Sequence, residues 1–170
     1  TKGYFTDLVP FQVEGVAKTV AADNGIRVST PDQLAKLKPA FVKPYGTVTA
    51  ANASYLTDGA SACLIMTEEK AKALGLKPKA YLRDFIYTSQ DPIDQLLLGP
   101  AYAIPKLMNR TGLKLKDIDV WEIHEAFAGQ ILSNLRALDS DYFCKNYLKL
   151  NEKFGNPDMN KWNTWGGSLR

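Results

Sequence analysis

The pattern of apolar and polar positions changes near residue 47 of the chain. Residues 1–46 mix turn signals with one short helical segment, which opens at Pro31 and repeats apolar residues at helical spacing. From residue 47 onward, short apolar runs typical of buried strands alternate with runs typical of helices. The pattern therefore predicts a peripheral lobe over residues 1–46 and a layered α/β domain over residues 47–170.

Strands and helices are expected to alternate in the second part. Buried strands are predicted over residues 60–67, 80–89 and 120–123, and helices over residues 68–75, 99–112 and 126–138. Pro105 lies inside the second helical run, so this helix is either kinked or begins at Pro105. Beyond Ser140 the sequence predicts a short helix followed by an extended loop.

Composition narrows the class of protein. A chain of 170 residues with 45% hydrophobic and 11% aromatic content can bury one substantial core. Its net charge of +3 is too weak to indicate nucleic-acid binding, although it is compatible with an anionic small ligand. The sequence has neither the pattern of a signal peptide nor an apolar run near the roughly 20 residues of a membrane span, so we expect a soluble chain.

The two cysteines do not indicate a metal site. No CxxC pair or cluster of histidines accompanies them, and neither has an activating neighbour in sequence. Cys63 lies within an apolar run, which predicts a core position. Cys144 lies between an aromatic and a lysine, which predicts partial exposure.

The only histidine, His124, marks a candidate functional position. It falls at the predicted turn between the strand over residues 120–123 and the helix over residues 126–138. In open α/β sheets, ligands bind at the carboxyl ends of strands, where such a turn lies. A lone imidazole beside an apolar run is also typical of a packed structural residue, and the pattern alone leaves both interpretations open.

Two further segments are unusual in composition. Residues 46–62 are rich in small and hydroxyl side chains, which is typical either of a connection into a core strand or of a loop that lets a ligand approach the backbone. The sequence NTWGGSLR, residues 163–170, contains two adjacent glycines and is predicted to lie in a functional loop.

Four motifs in this order resemble the thiolase family: YGTVTAANASYLTDGASA, LLLGPAYAIPKLM, DIDVWEIHEAFAGQ and NTWGGS. The resemblance covers nearly the whole chain and is closest to the branch that acts in mitochondrial fatty-acid β-oxidation. It implies a partial thiolase-like α/β fold, with the end of the loop domain in residues 1–46 and the first part of the C-terminal α/β domain in residues 47–170. The implied reaction is acyl transfer from a 3-ketoacyl-CoA to coenzyme A with release of acetyl-CoA.

The resemblance also implies site residues. Where the family commonly has Asn-Glu-Ala-Phe, this chain has His124-Glu125-Ala126-Phe127, so His124 would hold a water aimed at the thioester oxygen. Phe127 would form an apolar wall beside the thioester, although its spacing equally suits core packing. Glu125 would either orient nearby groups or support the start of the helix. For coenzyme A, the matching residues are Ser54 and Leu56 at the pantetheine arm and Arg27 at the adenine.

The remaining family motifs have no match here. The nucleophilic cysteine, the GHP histidine and the second acid/base cysteine are not found, and neither Cys63 nor Cys144 lies in a catalytic motif. The 170 residues alone are therefore expected to be inactive, and their match to the C-terminal domain stops before the GHP motif. An alternative is a non-catalytic module that binds acyl-CoA or another subunit. A more distant one is a structural subunit whose aromatic segment, residues 142–165, contacts a partner or a membrane.

The resemblance finally implies partners and a location. The substrates would be 3-ketoacyl-CoA and coenzyme A, with no permanently bound cofactor and no metal. The whole protein would form a homodimer of thiolase subunits joined by a hydratase/dehydrogenase alpha subunit, would be mitochondrial, and would associate with the inner membrane. No nucleic-acid partner is expected.

Overall fold

The computed structural model describes residues 6, 8–22 and 25–169. Its helices are α1 (Pro31–Ala35), α2 (Glu68–Ala73), α3 (Gly99–Thr111), α4 (Ala128–Leu138) and α5 (Asp141–Asn146), with 3₁₀ turns at Leu115–Asp117 and Met159–Lys161. Each predicted helix is confirmed, although α4 begins two residues later than expected. No helix among the described residues is long and apolar enough to cross a membrane.

The three predicted strands are wrong for the described part of the chain. Residues 60–67 and 80–89 are irregular and mostly exposed, while residues 120–123 contribute only a single bridge, from Trp121 to Trp162. A strand is stabilised when the N–H and C=O groups of a neighbouring strand meet its own in register. Within the described residues, backbone pairing of this kind is limited to isolated bridges, so these apolar runs do not become strands.

The chain divides into two compact units. The first comprises Thr1–Tyr55, Asp119–Ile131 and Pro157–Arg170, and the second comprises Leu56–Ile118 and Leu132–Asn156. The boundary predicted between residues 46 and 47 concerns family domains and stays a prediction.

The core of the second unit forms where helical side chains meet. Its buried members are Ala101, Ala137, Leu138 and Phe143, and the rings of Tyr102 and Phe143 pack edge to face with centroids 5.3 Å apart. Burial in this cluster raises the pKa of the Tyr102 hydroxyl, which donates a hydrogen bond to Gln95. The aromatic pair therefore anchors α5 against α3.

Both cysteine predictions are wrong. Cys63 is exposed because the strand that would bury it is not formed. Cys144 is fully buried, because it lies beside Phe143 on the side of α5 that faces the core. Its thiol contacts the carbonyls of Ala137 and Leu138 at 3.6 and 3.5 Å, which gives this weak donor partners inside the core.

Helix α3 runs without interruption through Pro105 and ends at Gly112. The prediction that this helix could begin at Pro105 is therefore wrong. Gly112 has φ of +72°, a left-handed conformation that glycine adopts without steric cost and that commonly ends a helix.

Asn134 of α4 forms hydrogen bonds with backbone groups at the start of α3. Its Oδ1 accepts a hydrogen bond from the Ala101 N–H at 2.9 Å, and its Nδ2 donates to the Leu97 carbonyl at 2.9 Å. Leu97 has φ of +71°, which is costly for a branched side chain. Asn134 is 2% exposed, so its amide replaces water for backbone groups at the helix start.

An ion pair connects the segment over residues 80–89 to α3. Arg110 donates to both carboxylate oxygens of Asp84, from Nε at 2.6 Å and from Nη2 at 2.5 Å. These hydrogen bonds hold the pKa of the Asp84 carboxyl below its usual value. A side-chain contact thus positions a segment that the sequence predicted to be held by a sheet.

We predict that Asn134→Ala destabilises the protein by about 1–3 kcal/mol, because the Leu97 carbonyl loses the Asn134 donor and the Ala101 N–H keeps only its 3.1 Å hydrogen bond to the Leu98 carbonyl. Chemical denaturation followed by circular dichroism measures this difference. Asn109→Ala is the matched control, since Asn109 is exposed on α3. Equal free energies of unfolding for the two variants would contradict the role of the Asn134 amide.

Candidate functional site

Three segments that are distant in sequence meet in the first unit. The central one, residues 121–128, joins the loop over residues 47–55 by backbone hydrogen bonds: Ser54 N–H donates to the Ala126 carbonyl at 2.8 Å, and Ala128 N–H donates to the Asn52 carbonyl at 2.9 Å. An antiparallel bridge between Ala53 and Phe127 lies between them. The loop therefore lies directly against the start of α4.

The same central segment also bonds to residues 161–169. Trp121 N–H donates to the Lys161 carbonyl at 2.8 Å, and Asn163 N–H donates to the Trp121 carbonyl at 2.7 Å. Main-chain hydrogen bonds alone thus bring together the motif that contains His124 and the motif that contains the two glycines.

Asn52 shapes the loop over residues 47–55. Its side chain accepts from Thr49 N–H at 2.7 Å and donates to the Thr47 carbonyl at 3.0 Å, closing a compact turn. The following residues, Ala53 and Ser54, are small and partly buried. A loop of this kind lets another group approach its backbone closely, which is one of the two interpretations of the sequence.

Asn163 joins the C-terminal segment to the central one. Its backbone has φ of +42°, a left-handed conformation that asparagine tolerates better than most residues. Its Oδ1 accepts from Ile123 N–H at 2.9 Å, and its Nδ2 donates to the Ile123 carbonyl at 2.9 Å and to Glu125 Oε1 at 2.7 Å. One side chain therefore pairs with the main chain of Ile123 before His124 and with the carboxylate of Glu125 after it.

Glu125 accepts hydrogen bonds at both carboxylate oxygens. Besides Asn163 at Oε1, Oε2 accepts from Leu169 N–H at 3.1 Å. The carboxylate lies so close to Gly167 that a Cβ at this position would overlap it. Because α4 begins only at Ala128, the structure favours the alternative in which Glu125 orients local groups rather than supporting the helix start.

His124 lies exposed between these contacts. Its Nδ1 lies 3.0 Å from the hydroxyl of Ser168, and its carbonyl accepts a hydrogen bond from Gln130 at 3.4 Å. An exposed imidazole whose ring is held by one polar neighbour is accessible to a ligand. The sequence left open the interpretation that His124 is a packed structural residue, and an exposed ring differs from that.

The other predicted site residues lie in different surroundings. Ser54 is partly buried and its hydroxyl donates to the Tyr55 carbonyl at 3.3 Å, while Phe127, also partly buried, forms the backbone bridge with the preceding residue, Ala53. Arg27 is exposed, two residues from Gly25, against which the Tyr55 ring packs. Leu56 is fully exposed and belongs to the second unit. Ser54, Phe127 and His124 are thus brought into one network.

Sequence reasoning assigned no role to Asn163 or Ser168, and left the role of Glu125 open. The signal for Asn163 was weak, since only its tolerance for left-handed backbone, three residues before two glycines, could have indicated a turn. Among the described residues, no group of three or more His, Cys, Asp or Glu side chains is arranged to hold a metal ion. The groups that the structure does place here, the His124 imidazole, the Asn163 amide and the Ser168 hydroxyl, donate and accept hydrogen bonds.

Family models match nearly the whole chain. The model described as "Thiolase, N-terminal domain" matches residues 1–69, and "Thiolase, C-terminal domain" matches residues 76–170. These two matches cover all three segments of the network.

Curated relatives are similar over almost the full length of this chain. A probable 3-ketoacyl-CoA thiolase of Caenorhabditis elegans is 68% identical over 98% of the chain. The mitochondrial trifunctional enzyme subunit beta is 66% identical in Bos taurus and 64% identical in Homo sapiens, each over 99% of the chain. The chain spans 38% of the length of the first relative and 35% of the length of the other two.

Solved structures of thiolases are similar to this chain in fold. The human mitochondrial 3-ketoacyl-CoA thiolase in complex with CoA superposes with a TM-score of 0.73 at 35% identity, covering 94% of this chain and 35% of that one. The dimeric peroxisomal thiolase of Saccharomyces cerevisiae gives a TM-score of 0.70 at 33% identity, covering 94% and 36%. The chain therefore has part of the α/β fold of these proteins.

We predict that Gly167→Ala lowers the melting temperature by several degrees, because the added methyl displaces the Glu125 carboxylate from Asn163 or Leu169. Thermal unfolding followed by circular dichroism measures the effect. Gly129→Ala is the control, since no atom lies within 4 Å of a Cβ built at that helical position.

The double variant Glu125→Ala/Gly167→Ala tests the cause. With the carboxylate removed, the methyl has room, so the double variant should cost less than the sum of the single variants. Additive losses would show that Gly167 is required for another reason.

Proposed function

Since this chain belongs to the thiolase family, we propose that it is part of a 3-ketoacyl-CoA thiolase of fatty-acid β-oxidation. The whole protein would transfer an acyl group from a 3-ketoacyl-CoA to coenzyme A through a cysteine-bound intermediate and release acetyl-CoA. The names of relatives 64–68% identical over nearly the whole chain support this assignment. The residues described here would contribute part of the oxyanion hole and part of the coenzyme A site.

One observation carries the proposal: His124 stays exposed within a segment that is hydrogen-bonded to both neighbouring motifs. Cleavage of a 3-ketoacyl-CoA leaves the enolate of acetyl-CoA, whose oxygen gains negative charge. Fixed donors aimed at such an oxygen are worth on the order of 3 kcal/mol each in well-studied enzymes. A neutral imidazole can supply a donor through a bound water without ionising.

The rigidity of the surrounding backbone matters for this role. A donor stabilises the transition state most when it does not have to reorganise during the reaction. Asn163 pairs with both main-chain groups of Ile123 before His124, and the Ser54 N–H bonds to the Ala126 carbonyl after it. The main chain at His124 is therefore held in place before substrate binds.

The proposed coenzyme A contacts follow the loop over residues 47–55. Ser54 and Leu56 would contact the pantetheine arm, and Phe127 would form an apolar wall near the thioester. Arg27 is exposed, so its planar guanidinium is free to stack on an adenine ring. Coenzyme A is a substrate in this proposal, and no permanently bound cofactor is involved.

Partners and location are part of the same proposal. The similar yeast thiolase is named as dimeric, which supports a homodimer. Relatives are named as mitochondrial and as the beta subunit of a trifunctional enzyme, which supports a mitochondrial location and an alpha-subunit partner with hydratase/dehydrogenase activity. Association with the inner membrane would follow from membership of such a complex.

We predict that, in the full-length protein, His124→Ala lowers kcat by roughly 100-fold or more while the melting temperature changes little. The exposed ring contributes little to packing, whereas the water that it holds acts only on the developing charge. Release of acetyl-CoA from acetoacetyl-CoA and from a long-chain 3-ketoacyl-CoA measures kcat.

His124→Asn is the matched comparison for this prediction. An amide can hold a similar water, so this variant should keep more activity than His124→Ala. A large loss of stability with unchanged kcat would instead identify a structural histidine. Absence of acetyl-CoA release from the wild-type full-length protein would favour a non-catalytic acyl-CoA-binding module.

For coenzyme A binding, we predict that Arg27→Ala raises the KM for coenzyme A but not for pantetheine, which lacks the adenine on which the guanidinium would stack. Ser54→Trp should raise the KM for both, because the indole would occupy the pantetheine path. Arg83→Ala, at another exposed arginine, is the control. Equal changes for the two thiols in Arg27→Ala would remove Arg27 from the adenine site.

A further inference from the structure

His124 has a polar neighbour for which the proposed function gives no reason. The hydroxyl of Ser168 lies 3.0 Å from Nδ1 of the imidazole, and the two residues are 44 positions apart in sequence. The contact is therefore a product of the fold, made by the meeting of the central and C-terminal segments.

The position of Ser168 is fixed on both sides. Leu169, the next residue, donates its N–H to Glu125 Oε2 at 3.1 Å. Gly167, the preceding residue, lies against the Glu125 carboxylate in a place that admits no Cβ. Glu125 is itself the neighbour of His124, so the carboxylate sets the distance between the hydroxyl and the imidazole.

A neutral imidazole carries its proton on only one of its two nitrogens. If the Ser168 hydroxyl donates to Nδ1, the proton is held on Nε2, and Nε2 can then donate to the water at the thioester oxygen. Without this partner, both tautomers would be populated, and the tautomer with a proton on Nδ1 would not donate to the water. The hydrogen bond made by one ring nitrogen determines which nitrogen of a functional histidine carries the proton.

We propose that Ser168 is a positioning residue that fixes the tautomer and ring orientation of His124 by donating a hydrogen bond to Nδ1. The proposal rests on the proposed function, in which Nε2 of His124 donates to the water at the oxyanion. Ser168 does not touch the substrate. Its effect reaches the reaction only through the imidazole.

A double-mutant cycle in the full-length protein tests the proposal. Ser168→Ala should lower kcat by roughly five- to tenfold, the size expected for one neutral hydrogen bond, with the KM values for both substrates unchanged. In a His124→Ala background the same change should alter kcat by less than twofold, because the imidazole on which it acts is absent. Ser168→Thr, which keeps a hydroxyl, should recover part of the loss. The exposed Ser89→Ala is the control.

The outcomes separate the two proposals. Equal losses from Ser168→Ala in both backgrounds, while His124→Ala alone is impaired, would overturn the role of Ser168 and leave the oxyanion function of His124 standing. An unimpaired His124→Ala would overturn both.

A second readout does not depend on turnover. This readout is the NMR spectrum of protein with nitrogen-labelled histidine. The imidazole nitrogen resonances that disappear in His124→Asn belong to His124. We expect their chemical shifts to indicate a proton on Nε2 in the wild-type protein and a mixture of tautomers in Ser168→Ala. A proton on Nε2 in both proteins would overturn the proposal.

Discussion

The Glu125 carboxylate accepts hydrogen bonds from two parts of the C-terminal segment, the Asn163 amide at 2.7 Å and the Leu169 N–H at 3.1 Å. Both donors lie about 40 residues away in sequence. Closing such a loop costs conformational entropy, and hydrogen bonds to a charged acceptor are among the stronger ones available to offset that cost. The close approach also requires Gly167, because any side chain there would occupy the space of the carboxylate.

The helices of this chain could be predicted from sequence because the information that forms them is local. Helix α2 begins after Thr67, whose hydroxyl accepts from the Lys70 N–H, and ends near Gly75, which has φ of +66°. The predicted strands depend on groups elsewhere in the chain. The run around Cys63 has the apolar character of a buried strand, yet a pattern within one segment does not specify what pairs with it. The exposed Cys63 and the single bridge at Trp121 are the consequence.

In the candidate site, too, local features could be predicted from sequence and contacts between distant residues could not. The position of His124 before a helix could be predicted from its motif, since the turn and the helix are neighbours in sequence. The contacts of Glu125 with Asn163 and of His124 with Ser168 join residues about 40 positions apart. No periodicity connects such positions. Motif resemblance indicated that these segments belong to one family, and only the fold identifies which atoms meet.

This chain has histidine at position 124, where the family commonly has asparagine. The chemical difference between the two side chains explains why a hydroxyl partner matters here. An asparagine amide always presents its donors on nitrogen and its acceptor on oxygen, so its orientation alone determines what it offers. An imidazole requires both an orientation and a tautomer. The chain that carries His124 in place of asparagine therefore has one more variable to fix, and the proposed donation from the Ser168 hydroxyl, 3.0 Å from Nδ1, would fix it. Exchange of an amide for an imidazole at an oxyanion site would then depend on a residue in a different segment.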